Sequence, residues 1–190
     1  SGNVVFDVRP GIYTGFTINT IPNVGLFDTI TFQAENKDSS SVQIIGSILL
    51  NSASNLTFRS LTIRPVNGQI TTCLTLNKPD KIWFTNCRIE KTDSVNFNPN
   101  DALLSIAFDW SGSTKSVKFS KSVISAAKYT IRINGKYGKI DFEYDSIYGT
   151  IRDDYGYPVK NFLYNTMYFT DGYMSVSYTH LAGDSQMTLP

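Results

Sequence analysis

The sequence predicts an all-β protein, a right-handed single-stranded parallel β-helix, from three observations: a recurring eight-residue phrase, solenoid-length spacing between its copies, and no helical periodicity. The phrase reads Leu56-Thr57-Phe58-Arg59-Ser60-Leu61-Thr62-Ile63, then Ile82-Trp83-Phe84-Thr85-Asn86-Cys87-Arg88-Ile89. It returns as Val117-Lys118-Phe119-Ser120-Lys121-Ser122-Val123-Ile124 and as Ile140-Asp141-Phe142-Glu143-Tyr144-Asp145-Ser146-Ile147. In every copy an aliphatic residue, a Phe two later and an Ile five after that keep their slots. The Phe positions 58, 84, 119 and 142 stand 26, 35 and 23 residues apart, the length of one coil of a solenoid. No window of about a dozen residues carries apolar positions at i, i+3, i+4 and i+7, so almost no helix is expected.

A strand puts residues i and i+2 on one face. The aliphatic residue and the Phe therefore point inward, and Thr57, Trp83, Lys118 and Asp141 point outward. The odd step of five to the Ile demands a change of face, which a bend or bulge around Ser60, Asn86, Lys121 and Tyr144 supplies. Stacked coils then pile Phe on Phe and Ile on Ile, a continuous core that one coil cannot make alone. A third strand follows each corner, at 74–76, 104–108 and 130–133. Earlier short strands are expected at 4–8, 29–32, 42–45 and 48–50, between Gly, Pro, Asp and Ser turns. Insertions such as 92–101 leave the stack as loops. The phrase degenerates at 161–168, and 157–190 is expected to form an atypical capping region. The rival all-β arrangement is a sandwich of antiparallel hairpins, but Asn67-Gly68 and Asn134-Gly135 do not separate equal alternating strands.

One domain over residues 1–190 accounts for the length. The abrupt start, with Ser1-Gly2 running straight into Val4-Val5-Phe6, reads as a domain cut from a longer solenoid. Seventeen Lys and Arg against sixteen Asp and Glu leave a charge of +1, which gives no global field to draw in nucleic acid. No run of 18 or more apolar residues is present, so membrane insertion is not expected. Cys73 and Cys87 have no companion ligands at metal spacing and read as buried free thiols, with a disulfide as the other option.

The opening Asn3-Val4-Val5-Phe6-Asp7-Val8-Arg9-Pro10-Gly11-Ile12-Tyr13-Thr14, followed by Phe16-Thr17-Ile18 and Thr29-Ile30-Thr31-Phe32-Gln33-Ala34, resembles the start of pectate-lyase-like β-helix domains. The similarity is closest to such domains in large secreted or cell-surface proteins of Bacteroidetes, and it covers roughly residues 3–150. It implies a secreted or cell-surface location. Residues 145–151 look like the stretch that leads into a catalytic aspartate in pectin methylesterases, but Arg152 stands at the matching position and Asp153 one place late. The coil around Thr72-Cys73-Leu74-Thr75-Leu76 also lacks the glutamine that the resemblance requires. Esterase chemistry is therefore not expected.

Arg152-Asp153-Asp154 is the only adjacent carboxylate pair with a cation beside it. Such a pair can serve as acid and nucleophile, or hold Ca²⁺ for a lyase whose Arg removes a proton. The turn composition of 153–158 points instead to a solvated loop, the ordinary reading of an Asp-rich turn. For binding, Trp83 and Trp110 are the candidate sugar-facing rings, because a flat apolar face pairs with C–H groups while neighbouring polar groups fix orientation. For Trp110 the favoured reading is a residue that closes a coil edge. Arg59, Arg88 and Lys118 lie on the same or adjoining faces and can grip carboxylates of an acidic glycan, or serve as scattered solvated charges. His180 is the sole histidine, which excludes a His-based triad or zinc site within this chain. Tyr155, Tyr157, Tyr164, Tyr168, Tyr173 and Tyr178 suggest a cover over the open end of the stack. The expectation is a non-catalytic module without a cofactor that binds a polysaccharide or a cell-surface protein. A polysaccharide lyase or hydrolase and a structural spacer are the alternatives.

Overall fold

The computed structural model describes residues 2–21, 28–67, 72–91, 102–110, 112, 114–156 and 158–168. In chain order its strands are β1 (Val4–Val8), β2 (Gly11–Thr14), β3 (Thr17–Ile18), β4 (Ile30–Ala34), β5 (Val42–Ile45) and β6 (Ile48–Asn51). They continue as β7 (Ser54–Arg59), β8 (Thr62–Arg64), β9 (Leu74–Asn77), β10 (Asp80–Thr85), β11 (Arg88–Glu90) and β12 (Leu104–Ala107). The last six are β13 (Lys115–Ser120), β14 (Val123–Asn134), β15 (Gly138–Glu143), β16 (Ser146–Asp153), β17 (Val159–Leu163) and β18 (Thr166–Tyr168). Among the described residues there is no helix, and every strand pairing is parallel, which removes the antiparallel sandwich.

The pairings form three arms. One sheet runs β1-β4-β7-β10-β13-β15-β17, and the other holds β2-β5-β8-β11 and β3-β6-β9-β12, joined because β14 serves both. The first residues of β14 pair with β11 and its last with β12. The phrase explains the register. Phe6, Phe32, Phe58, Phe84, Phe119, Phe142 and Phe162 are successive partners, with ring centroids 5.0–5.7 Å apart and planes within 17°. Ile44, Ile63, Ile89, Ile124, Ile147 and Met167 form the second inward column. Leu50, Leu76, Ile106 and Ile133 form a third.

The bend is a single left-handed residue. Ser60, Asn86, Lys121, Tyr144 and Tyr164 have φ of 56, 54, 53, 57 and 54°. One residue in that region reverses the facing of its neighbours without adding an unpaired position, which is why Phe and Ile five apart both reach the core. The corner stays hydrogen-bonded to the next level. The N–H groups of Ser60, Asn86, Lys121 and Tyr144 donate to the carbonyls of Thr85, Ser120, Glu143 and Leu163 at 2.9–3.0 Å. Ser52 and Lys78 mark a second left-handed corner, with φ of 53 and 51°.

Three expectations are corrected. Thr57 stands in the outward row with Thr31 and Trp83 yet is buried, because a short side chain between neighbours on both sides is shaded by the longer ones. The last phrase does not degenerate at 161–168 but runs in register over 160–167, with Lys160 opposite Ile140, Phe162 opposite Phe142 and Met167 opposite Ile147. The stack therefore continues through β18, and most of the stretch expected to form an atypical cap, 169–190, lies outside the described residues. Tyr164 and Tyr168 do not lie over an end. They stack outside the core on Tyr144 and Tyr148, at 5.1 and 4.7 Å.

At the N-terminal end β1, β2 and β3 each pair on one side only, among the described residues. Phe6 is 49% exposed there. An open apolar hollow of about 350 Å³ lies beside it, lined by Val8, Phe16, Ile18, Phe32, Ile44 and Leu61. Cys73 and Cys87 are buried free thiols, as expected. Burial pushes the Cys87 thiol up to about 12 and raises that of Cys73 further.

Candidate functional site

The outer face of the first sheet carries three of the expected binding residues. Trp83 lies between the fully buried Ile82 and Phe84 and is 44% exposed, so strand alternation does turn its ring outward. Lys118 is its register partner on β13, and Lys118 Nζ is 2.8 Å from Glu143 Oε1. Arg59 lies two residues along β7 from Thr57, in a neighbouring outward row. Its guanidinium donates to Gln33, which in turn donates to Asp7. Arg88 sits round the corner on β11, where it forms an ion pair with Glu90 at 2.8 Å. Arg59, Trp83 and Lys118 thus share a face, and Arg88 does not.

Trp110 and the Arg152-Asp153-Asp154 group, 42 or more residues apart in the chain (152 − 110 = 42), are brought to one place. The carbonyl of Asp109 accepts the N–H groups of Lys136 and Tyr137 at 3.2 and 3.1 Å. Gly135, with φ of 98°, allows that approach: a Cβ there would lie 2.2 Å from the Phe108 carbonyl oxygen. This fixes the backbone before Trp110. From the other side, Asp153 Oδ1 accepts the N–H groups of Tyr155 and Gly156 at 3.1 and 2.7 Å, a turn that presents Tyr155. The Trp110 and Tyr155 rings meet edge to face, with centroids 4.7 Å apart at 80°, and they are 52% and 54% exposed. Trp110 stands at the end of its coil with its ring against Tyr155. It forms one wall of an L-shaped aromatic corner, with Arg152 nearby on β16 and half exposed.

The two carboxylates are not a solvated loop. Asp153 is held by Lys160, both side chains 2% exposed. Asp154 lies between two guanidinium groups, with Arg132 Nε 2.7 Å from Oδ2 and Arg152 Nε 2.7 Å from Oδ1. Three cations already neutralise the pair, so these residues do not fit Ca²⁺, which needs six to eight oxygen donors. Among the described residues no group of three or more His, Cys, Asp or Glu can hold a metal. Asp145, which opens the esterase-like stretch, is also turned inward. It accepts the Ser122 and Glu143 N–H groups at 2.6 and 3.0 Å.

Sequence reading missed Lys160, whose charge disguised an aliphatic slot, and the pairing of Trp110 with Tyr155. His180, Tyr157, Tyr173, Tyr178 and the insertion 92–101 lie outside the described residues. No helix among the described residues is long and apolar enough to cross a membrane. The chain matches no family model, no curated protein and no solved structure.

Proposed function

We propose that the chain is a right-handed single-stranded parallel β-helix, secreted or held at the cell surface, that binds glycan without catalysis. Parallel connections within a sheet are right-handed in about 98% of cases, which supports the handedness. The observation that carries the binding function is the exposed Trp110–Tyr155 corner. Two rings at 80° offer a floor and a wall to the C–H faces of a sugar, and Arg152 stands within the same region to orient its polar groups. The resemblance to pectate-lyase-like domains points to the same ligand class. Against the lyase or hydrolase alternative, Asp153 and Asp154 are each engaged by cations and turned away from solvent.

The test is a glycan array followed by titration of the best ligand into wild type, Trp110→Ala, Tyr155→Ala and Trp83→Ala. Binding should fall about two- to tenfold in the first two variants and persist in the third, given about 0.5–1.5 kcal/mol per aromatic contact. Equal binding by all four proteins overturns the assignment of the corner. Cleavage of any acidic polysaccharide overturns the non-catalytic reading. A second reading, a structural spacer, would be supported by concentration-dependent self-association that is lost in Phe6→Lys.

A further inference from the structure

Two inward slots near the end of the stack hold charge instead of hydrocarbon. Asp153 is the register partner of Ile133, in the column of Leu50, Leu76 and Ile106. Lys160 is the partner of Ile140, in the column of Leu56, Ile82 and Val117. The Lys160 amine contacts Asp153 Oδ2, and both side chains are 2% exposed. Asp153 Oδ1 points the other way, into the N–H groups of Tyr155 and Gly156 at 3.1 and 2.7 Å.

We propose that Lys160 and Asp153 condense spontaneously into an intramolecular amide that cross-links β16 to β17. Excluded from water, the ion pair passes one proton from ammonium to carboxylate, giving an amine and an acid. The amine lone pair forms a bond to Cγ, and the carbonyl electron pair moves onto Oδ1. The Tyr155 and Gly156 N–H groups meet that developing charge as an oxyanion hole. Nitrogen then releases a proton to Oδ2, the Cγ–Oδ2 bond breaks, and Oδ2 departs as water. One N–C bond replaces one C–O bond, with no change of oxidation state and no co-reactant. In water this condensation is unfavourable between free groups. Here the effective molarity of positioned partners, about 10⁵–10⁸ M, and the loss of two buried charges drive it forward.

The experiment is intact mass spectrometry of the denatured 190-residue protein, with tryptic mapping. Wild type should be lighter than its sequence by one water, while Lys160→Arg and the apolar double variant Lys160→Met/Asp153→Leu should show full mass. The double variant keeps both slots filled, so it folds without the pair. Trypsin should fail to cut after Lys160, leaving 153–190 as one closed peptide, since no Lys or Arg follows position 160. Full mass with normal cleavage after Lys160 overturns the proposal. So does a water deficit removed by hydroxylamine with Lys160 still cleaved, which marks an aspartyl succinimide.

Discussion

Asp145 makes the stability of this protein depend on pH in an unusual direction. Its side chain sits in the inner corner slot that Leu61, Cys87 and Ser122 fill at earlier levels, and it is 1% exposed. Burial pushes the carboxyl from its ordinary 3.8 up to about 7 against the pull of the Ser122 and Glu143 N–H groups, and the Glu143 charge adds to the rise. The folded state therefore holds a proton that the unfolded chain releases. Stability from this group is complete below about pH 4, declines as pH rises to about 7, and is constant beyond. The rise from 3.8 to about 7 sets a ceiling of about 4 kcal/mol. Asp145→Asn has nothing to ionise. Urea unfolding of both proteins between about pH 4 and pH 8 should show the variant gaining on wild type by up to about 4 kcal/mol across that window. Titrating groups that do not interact with Asp145 cancel in the difference. A difference that is flat with pH, or that moves in favour of wild type, refutes the reasoning.

Three further outcomes follow from the core and its corners. Phe84→Leu removes two ring contacts at full burial and should cost about 1–3 kcal/mol in urea unfolding, whereas Phe6→Leu, with one ring neighbour and half exposure, should cost under about 1 kcal/mol; equal costs would deny the stack its cumulative character. Lys121→Asn places a residue tolerant of left-handed geometry at φ of 53° and should raise stability by about 0.5–1 kcal/mol in thermal melts; a lower melting temperature would show that the corner exacts no strain from Lys. Cys73 and Cys87 should resist thiol reagents at about pH 8 in the native protein and react fully in denaturant; rapid native labelling would contradict their burial.

The phrase made much of the fold legible because each slot carries one physical demand. Phe58, Phe84, Phe119 and Phe142 stack as their spacing requires, and the bend placed at Ser60, Asn86, Lys121 and Tyr144 is where φ turns positive. The pattern fails where a slot is filled against type. Lys160 occupies a hydrocarbon position, so apolar periodicity alone started the last phrase one residue late. Its partner Asp153 looked solvated because turn composition describes backbone preference, not the inward column to which the register assigns it. The Trp110–Tyr155 contact had no signal at all. It arises between loops two levels apart, after β12 and after β16 with β14 between them, where no recurring slot links the two positions.

Among the described residues each strand pairs with the strands directly above and below it, β14 with both β11 and β12, so cohesion passes from level to level. Dissolution under heat or denaturant should accordingly begin at the half-covered Phe6 level and travel inward like a fraying rope. Amide protons of β1, β2 and β3 would be the first to trade for deuterium, and those of β10 and β13 the last.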